Sequence, residues 1–233
     1  MPSQTRIPRA GIAYVIITRM PIRRLQTAWT TLMDRQHRLP DGWLGRLIGE
    51  RMVRQHTPET LWTLQLLALG PDDRVLELGF GAGRALQLAL QQVTGGQVVG
   101  VDLSPAMLQS ARRRLKTPYL PHSASLICAD ILSLPLRAGS FDKIFSIHTF
   151  YFWQHSIRTL QHLYALLAPR GRLALTMATA KRDARGHWVH WPLQAVLEQE
   201  TLPALHEIGF RSARLEHGPD SRAYNNVALV AEK

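Results

Sequence analysis

Residues 75–84 read Val-Leu-Glu-Leu-Gly-Phe-Gly-Ala-Gly-Arg, an apolar run that ends in three glycines at alternate positions. No other stretch restricts the fold as strongly. Glycine enters left-handed backbone conformations without a Cβ penalty, so a strand can stop and a helix start within a few residues. A helix beginning at such a loop aims unpaired N–H groups and the positive end of its dipole at whatever lies in front of it. The segment predicts a strand, a ligand-cradling loop and a helix, in that order.

The acids around the loop narrow the ligand. Dinucleotide-binding loops read GxGxxG, whereas this one reads GxGxG with Glu77 two residues ahead. A carboxylate there repels a pyrophosphate and attracts an ammonium group, so a ligand with an amino-acid end fits better than a nicotinamide dinucleotide. Asp102 closes the next apolar run, Val98-Val99-Gly100-Val101, where an acid can accept from both hydroxyls of a ribose. Asp130 follows the third run, where it can accept from an adenine amino group. Each acid alone is equally at home as a helix cap or turn residue, and for Asp130 alone that plainer role is favoured. Three in succession at strand ends, beside the glycine loop, favour a ligand.

The rest of the chain alternates. Apolar runs at 74–78, 97–101, 125–128, 141–147 and 172–177 read as strands. Helical spacing covers 58–69, 84–93, 105–116 and 157–167, with Thr57 and Ser104 as N-caps. This predicts a parallel sheet covered on both faces. At the end the order changes to a helix at 202–208 and strands at 210–216 and 226–231, which predicts an antiparallel hairpin at one sheet edge.

The pieces VLELGFGAG, VVGVDLSPAMLQSARRRL, ICADILSLPLRAGSFDKIFSI and LLAPRGRLALTM, in that order, resemble a class I S-adenosylmethionine-dependent methyltransferase. The resemblance covers close to half of the chain. It implies a Rossmann-like three-layer α/β/α sandwich on a mostly parallel seven-stranded sheet whose last strand is antiparallel, with a helical N-terminal extension. It implies that Glu77, Gly79, Phe80, Gly81 and Gly83 surround the methionine part of the cofactor, and that Asp102 takes the ribose. Leu103, Met107, Asp130 and Ile131 would meet the adenine, and His148 would line the methionine end. S-adenosylhomocysteine would be the product. The family's Asn-Pro-Pro-Tyr motif, which marks planar nitrogen acceptors, is missing.

Catalysis of this kind rests on alignment of an activated methyl carbon, so no catalytic residue is expected from the sequence. Tyr151 and Trp153, in His148-Thr149-Phe150-Tyr151-Phe152-Trp153-Gln154-His155, are the candidate acceptor contacts. His187 and His190 form the tightest histidine pair, but two ligands without a third predict no metal site. Residues 181–192 are expected to form a mobile rim.

Residues 1–57 carry ten arginines against three acids, a surplus of seven out of a formal +11 for all 233 residues. They are expected to form a basic arm and an amphipathic lid helix, and residues 58–233 the cofactor-binding domain. Such a basic segment could meet an anionic lipid surface or nucleic acid, although a small-molecule acceptor is the first expectation. No apolar run reaches the ~20 residues of a membrane span. The lone cysteine, Cys128, excludes an internal disulfide, and a cytoplasmic protein is expected. Nothing in the sequence fixes an oligomeric state.

Overall fold

The computed structural model describes residues 56–116, 124–221 and 223–233. The expected basic arm and the amphipathic helix at 43–55 lie outside them. In chain order the elements are α1 (Thr57–Leu67), β1 (Arg74–Leu78), α2 (Arg84–Gln92), β2 (Gln97–Asp102), α3 (Pro105–Leu115), β3 (Ser125–Cys128) and β4 (Phe141–Ile147). There follow α4 (Ser156–Leu166), β5 (Leu167–Arg182), β6 (Trp188–His190), α5 (Leu193–Val196), α6 (Leu202–Ile208), β7 (Ser212–His217) and β8 (Tyr224–Glu232). Strand order is β3-β2-β1-β4-β5-β8-β7, with β6 paired to β5 beside this path. The neighbouring pairs from β3 to β5 are parallel, and β8 runs antiparallel to both β5 and β7.

Alternation along each strand divides the core into two layers. Val75 on β1 and Phe145 on β4 face Leu64 and Leu67 of α1, Leu86 and Leu90 of α2, and Met107 and Ala111 of α3. Leu76 and Leu78 on β1 and Ile144 on β4 face Leu160 and Leu163 of α4 and Leu205 of α6. Glu77 shares the face of Val75, since side chains two apart on a strand point the same way. A bidentate contact from Arg74 to Asp142, at 2.9 and 2.8 Å, ties the start of β1 to the start of β4. Inside the core, Thr63 of α1 and Thr176 of β5 join their hydroxyls at 2.6 Å.

The predicted three-layer fold is present, with the antiparallel hairpin at the β7 edge. Three local expectations need correction. The sheet holds an eighth strand beyond the seven expected, β6, because the chain within 181–192 folds back on β5. Asp183 Oδ1 accepts the N–H groups of Arg185 and His187, and Gly186 reverses the chain at φ +86°. Thr57 is the first residue of α1 rather than its N-cap; His56 takes that place, and no side chain caps the helix. The strand read at 172–177 begins instead at Leu167, and at 169–171 its pairing with β4 slips between Phe141 and Lys143 while Arg170 takes φ +65°. Ser104 does cap α3, its hydroxyl accepting from the N–H of Met107 at 3.2 Å.

Candidate active site

β1 has β2 on one side and β4 on the other, so successive connections leave in opposite directions from this point of the sheet. A crevice opens beyond the C-terminal ends of strands at such a switch. Here it is a cavity of about 560 Å³, within the range of small-molecule sites. Glu77, the glycine loop, Asp102, Leu103, Met107, Asp130 and Ile131 line one part. His56, Thr60, His148, Phe152, Trp153, His155 and Thr159 line the other.

The loop glycines sit at φ +70° (Gly79), +50° (Gly81) and +80° (Gly83), a region that side chains disfavour. A Cβ on Gly79 would run into the Thr149 side chain, and one on Gly83 would lie 2.8 Å from Ala111. A Cβ on Gly81 would meet no protein atom within 4 Å. Gly79 and Gly83 are therefore fixed by packing, whereas the space beside Gly81 is kept open. Phe80 enters the cavity lining, but its side chain is buried and lies against the α carbon of Gly100 in β2.

Asp102 is held by the protein itself. Its Oδ2 accepts the N–H of Gly81 and its Oδ1 the N–H of Ser104, both at 2.8 Å. Burial raises its pKa, against those backbone bonds. Asp130 caps the short turn Ile131–Ser133 through Leu132 N–H at 2.9 Å, so the plainer role weighed for it is present at the cavity wall. Leu103 is 59% exposed although apolar, facing the cavity opposite buried Met107. Glu77 is buried, and its Oε2 has no partner among the described residues. Burial, and then the charge of Asp102, push its pKa up to about 8, while the Leu86 N–H opposes the shift.

The far end holds two residues with no signal in the sequence reading. Glu59, in the first turn of α1, is 0% exposed and points its Oε1 at His56 Nδ1 (2.6 Å) and His148 Nε2 (3.3 Å). Its pKa is pushed up by burial, but the histidine hydrogen bonds outweigh this and bring it to about 2. Burial lowers the His148 pKa, against its hydrogen bond to Glu59. His148 itself sits at φ +57°, a strained conformation for a non-glycine residue. Of the two acceptor candidates, Trp153 lines the cavity and Tyr151 does not. The Tyr151 hydroxyl accepts the N–H of Ala178 at 2.6 Å and contacts His148 Nδ1 at 3.1 Å. His187 remains on the surface beside Asp183.

Residues 75–171 match a family profile described as a methyltransferase domain. An uncharacterized methyltransferase, YdaC, of Bacillus subtilis (strain 168) is 32% identical over 138 residues, 59% of this chain and 74% of that protein. A 2-phytyl-1,4-naphtoquinone methyltransferase of Nostoc sp. is 33% identical over 163 residues, 68% of this chain and 71% of that protein. The crystal structure of a SAM-dependent methyltransferase from Aquifex aeolicus superposes with a TM-score of 0.63 at 19% identity, over 80% of this chain and 97% of that one.

Proposed function

Since the chain belongs to the class I S-adenosylmethionine-dependent methyltransferases, we propose that its cavity takes the cofactor along the Glu77–Asp130 side and a small-molecule acceptor on the His148–Trp153 side. The observation that carries this reading is the continuity of one cavity from the glycine loop to Trp153.

The residues fit the cofactor. Glu77 is a buried carboxylate with an unpartnered oxygen at the loop, and an ammonium group there would satisfy it. The open side of Gly81 and the N-terminus of α2 leave room and N–H groups for a carboxylate. Asp102 already receives two backbone N–H groups, and each oxygen keeps a lone pair for a ribose hydroxyl. Leu103 and Met107 offer an apolar slot, with Asp130 and Ile131 at its rim. When bound, S-adenosylmethionine supplies an activated methyl carbon.

The protein's part is then positioning. Phe152 and Trp153 put aromatic side chains in the cavity lining, where a flat acceptor can pack against them. The likeness to a naphtoquinone methyltransferase supports a small ring-bearing acceptor. Calorimetric titration with S-adenosylhomocysteine, followed by a screen of hydroquinones, phenols and carboxylic acids with labelled methyl groups, tests both halves. Failure to bind S-adenosylhomocysteine would reject the cofactor placement. Binding with labelling confined to nucleic acid or lipid would reject the acceptor class.

A further inference from the structure

His56 and His148 line the cavity on the side given to the acceptor, and buried Glu59 bonds to both. These two imidazoles and one carboxylate come from α1 and from the turn after β4, and their ligand atoms all lie within 4.8 Å of one another. We propose that this trio binds a divalent transition-metal ion of the zinc class, with its open coordination positions toward the acceptor end of the cavity.

Three observations carry the proposal. First, the Glu59 carboxylate is unevenly satisfied. Its Oε1 meets both histidines, while Oε2 is buried and has no partner among the described residues. An unpartnered oxygen on a fully buried carboxylate is costly, and a cation beside it removes the cost. Second, His148 has the outer partner that a metal-bound imidazole characteristically has. Its Nδ1 lies 3.1 Å from the Tyr151 hydroxyl, itself fixed by Ala178 N–H, and this holds the ring so that Nε2 faces Glu59. Third, His148 keeps its left-handed backbone, with its N–H bound to Thr176 O at 2.8 Å, and such strain collects where a side chain must be aimed.

The donor set defines the ion. Two imidazoles and a carboxylate suit zinc, iron(II) or cobalt(II), and do not suit calcium or magnesium, which favour oxygen ligands. Metal–ligand bonds of about 2.0–2.2 Å at tetrahedral angles set ligand atoms roughly 3.3–3.6 Å apart, so His56 Nδ1 must back away from its 2.6 Å contact with Glu59 Oε1, whereas His148 Nε2 at 3.3 Å is already suitably spaced. Three protein ligands leave at least one position for water or an acceptor oxygen, the arrangement of catalytic rather than structural sites. An ion there would lower the pKa of an acceptor hydroxyl, whose proton would pass to solvent; the oxygen would then bond to the methyl carbon as its bond to sulfur breaks, leaving S-adenosylhomocysteine.

The test is titration of the purified full chain with cobalt(II), read by its visible ligand-field bands and by calorimetry, with zinc as the displacing ion. One equivalent is expected to bind with imidazole-type bands and to be displaced by zinc. Glu59→Gln and His56→Ala are expected to weaken binding at least 100-fold. His148→Asn, which tolerates the left-handed backbone, is expected to do the same. Melting curves and S-adenosylhomocysteine binding report whether each variant is folded. Absence of cobalt bands, with and without S-adenosylhomocysteine, would overturn the proposal and leave the trio as a hydrogen-bonded ion pair. Binding that persists in all three variants would overturn it as well, placing the ion elsewhere. Because metal uptake is read without turnover, it can fail while the cofactor placement stands, and the converse also holds.

Discussion

Asp102, at the end of β2, accepts the backbone N–H of Gly81, in the loop after β1, at 2.8 Å. This bond locks the acid and the loop to each other. Asp102→Ala should weaken S-adenosylhomocysteine binding by about 1–3 kcal/mol, through lost ligand contacts and a loosened loop. Asp102→Asn should fall between the two, since one side-chain acceptor remains. Calorimetry decides, and unchanged affinity in the alanine variant would remove Asp102 from the ribose position.

Glu77 predicts an unusual pH dependence. Its folded pKa of about 8 lies above the ordinary 4.5, so the folded state holds its proton more tightly than the unfolded one. Its contribution to stability is therefore full below about pH 4.5 and is lost as pH rises through 8, at up to about 1.4 kcal/mol per pH unit. Denaturant melts of the ligand-free protein between pH 5 and 9 should show this loss. Glu77→Gln should flatten it, and saturating S-adenosylhomocysteine should shrink it by supplying an ammonium partner. The comparison with Glu77→Gln isolates Glu77 from other groups that titrate in this window.

Gly79 and Gly81 should fail in different ways when changed. Gly79→Ala meets the Thr149 methyl at φ +70°, so folding stability should drop by more than the ~1–2 kcal/mol of the backbone strain alone. Adding Thr149→Ser should recover the steric part. Gly81→Ala carries the backbone strain of φ +50° but its Cβ meets no described atom within 4 Å, so it should cost the fold less than Gly79→Ala, yet cofactor affinity should fall sharply. Thermal melts and binding titrations on the same samples separate the two outcomes.

Tyr151 and Trp153 should likewise divide. Tyr151→Phe leaves the buried N–H of Ala178 without its acceptor and should cost about 1–3 kcal/mol of stability. Trp153→Ala should leave stability closer to wild type and raise the KM for the acceptor, because Trp153 lines the cavity. An unchanged KM would move the acceptor away from that wall.

The cofactor end was legible in the sequence because its chemistry follows from local order. Glycines and acids at strand ends are placed by the strand–helix alternation itself, as Glu77, Asp102 and Asp130 are. The far end was not. Glu59 reads as an ordinary first-turn acid of α1, and its inward aim arises because α1 packs across β4 and β5 and brings it to His148, 89 residues away. The same limit applies to Tyr151. An aromatic run after β4 signals a cavity wall, but which rings face the cavity depends on the short turn Phe150–Phe152, which buries Phe150, puts Phe152 in the wall and turns Tyr151 toward Ala178. Likewise β6 depends on a side-chain-stabilised turn at Asp183 that composition alone reads as a loop.

The buried hydroxyl pair between Thr63 and Thr176 bears on where the catalytic unit can be cut. The stretch 75–171 that carries the family signature stops short of both partners. A fragment trimmed to that stretch would lose the helix that walls the cavity at Thr60. It would also divide β5 and discard β8, laying open the middle of a sheet as a hydrophobic, hydrogen-bonding edge. Fusions and minimal versions of this enzyme should therefore begin ahead of His56 and retain the terminal hairpin.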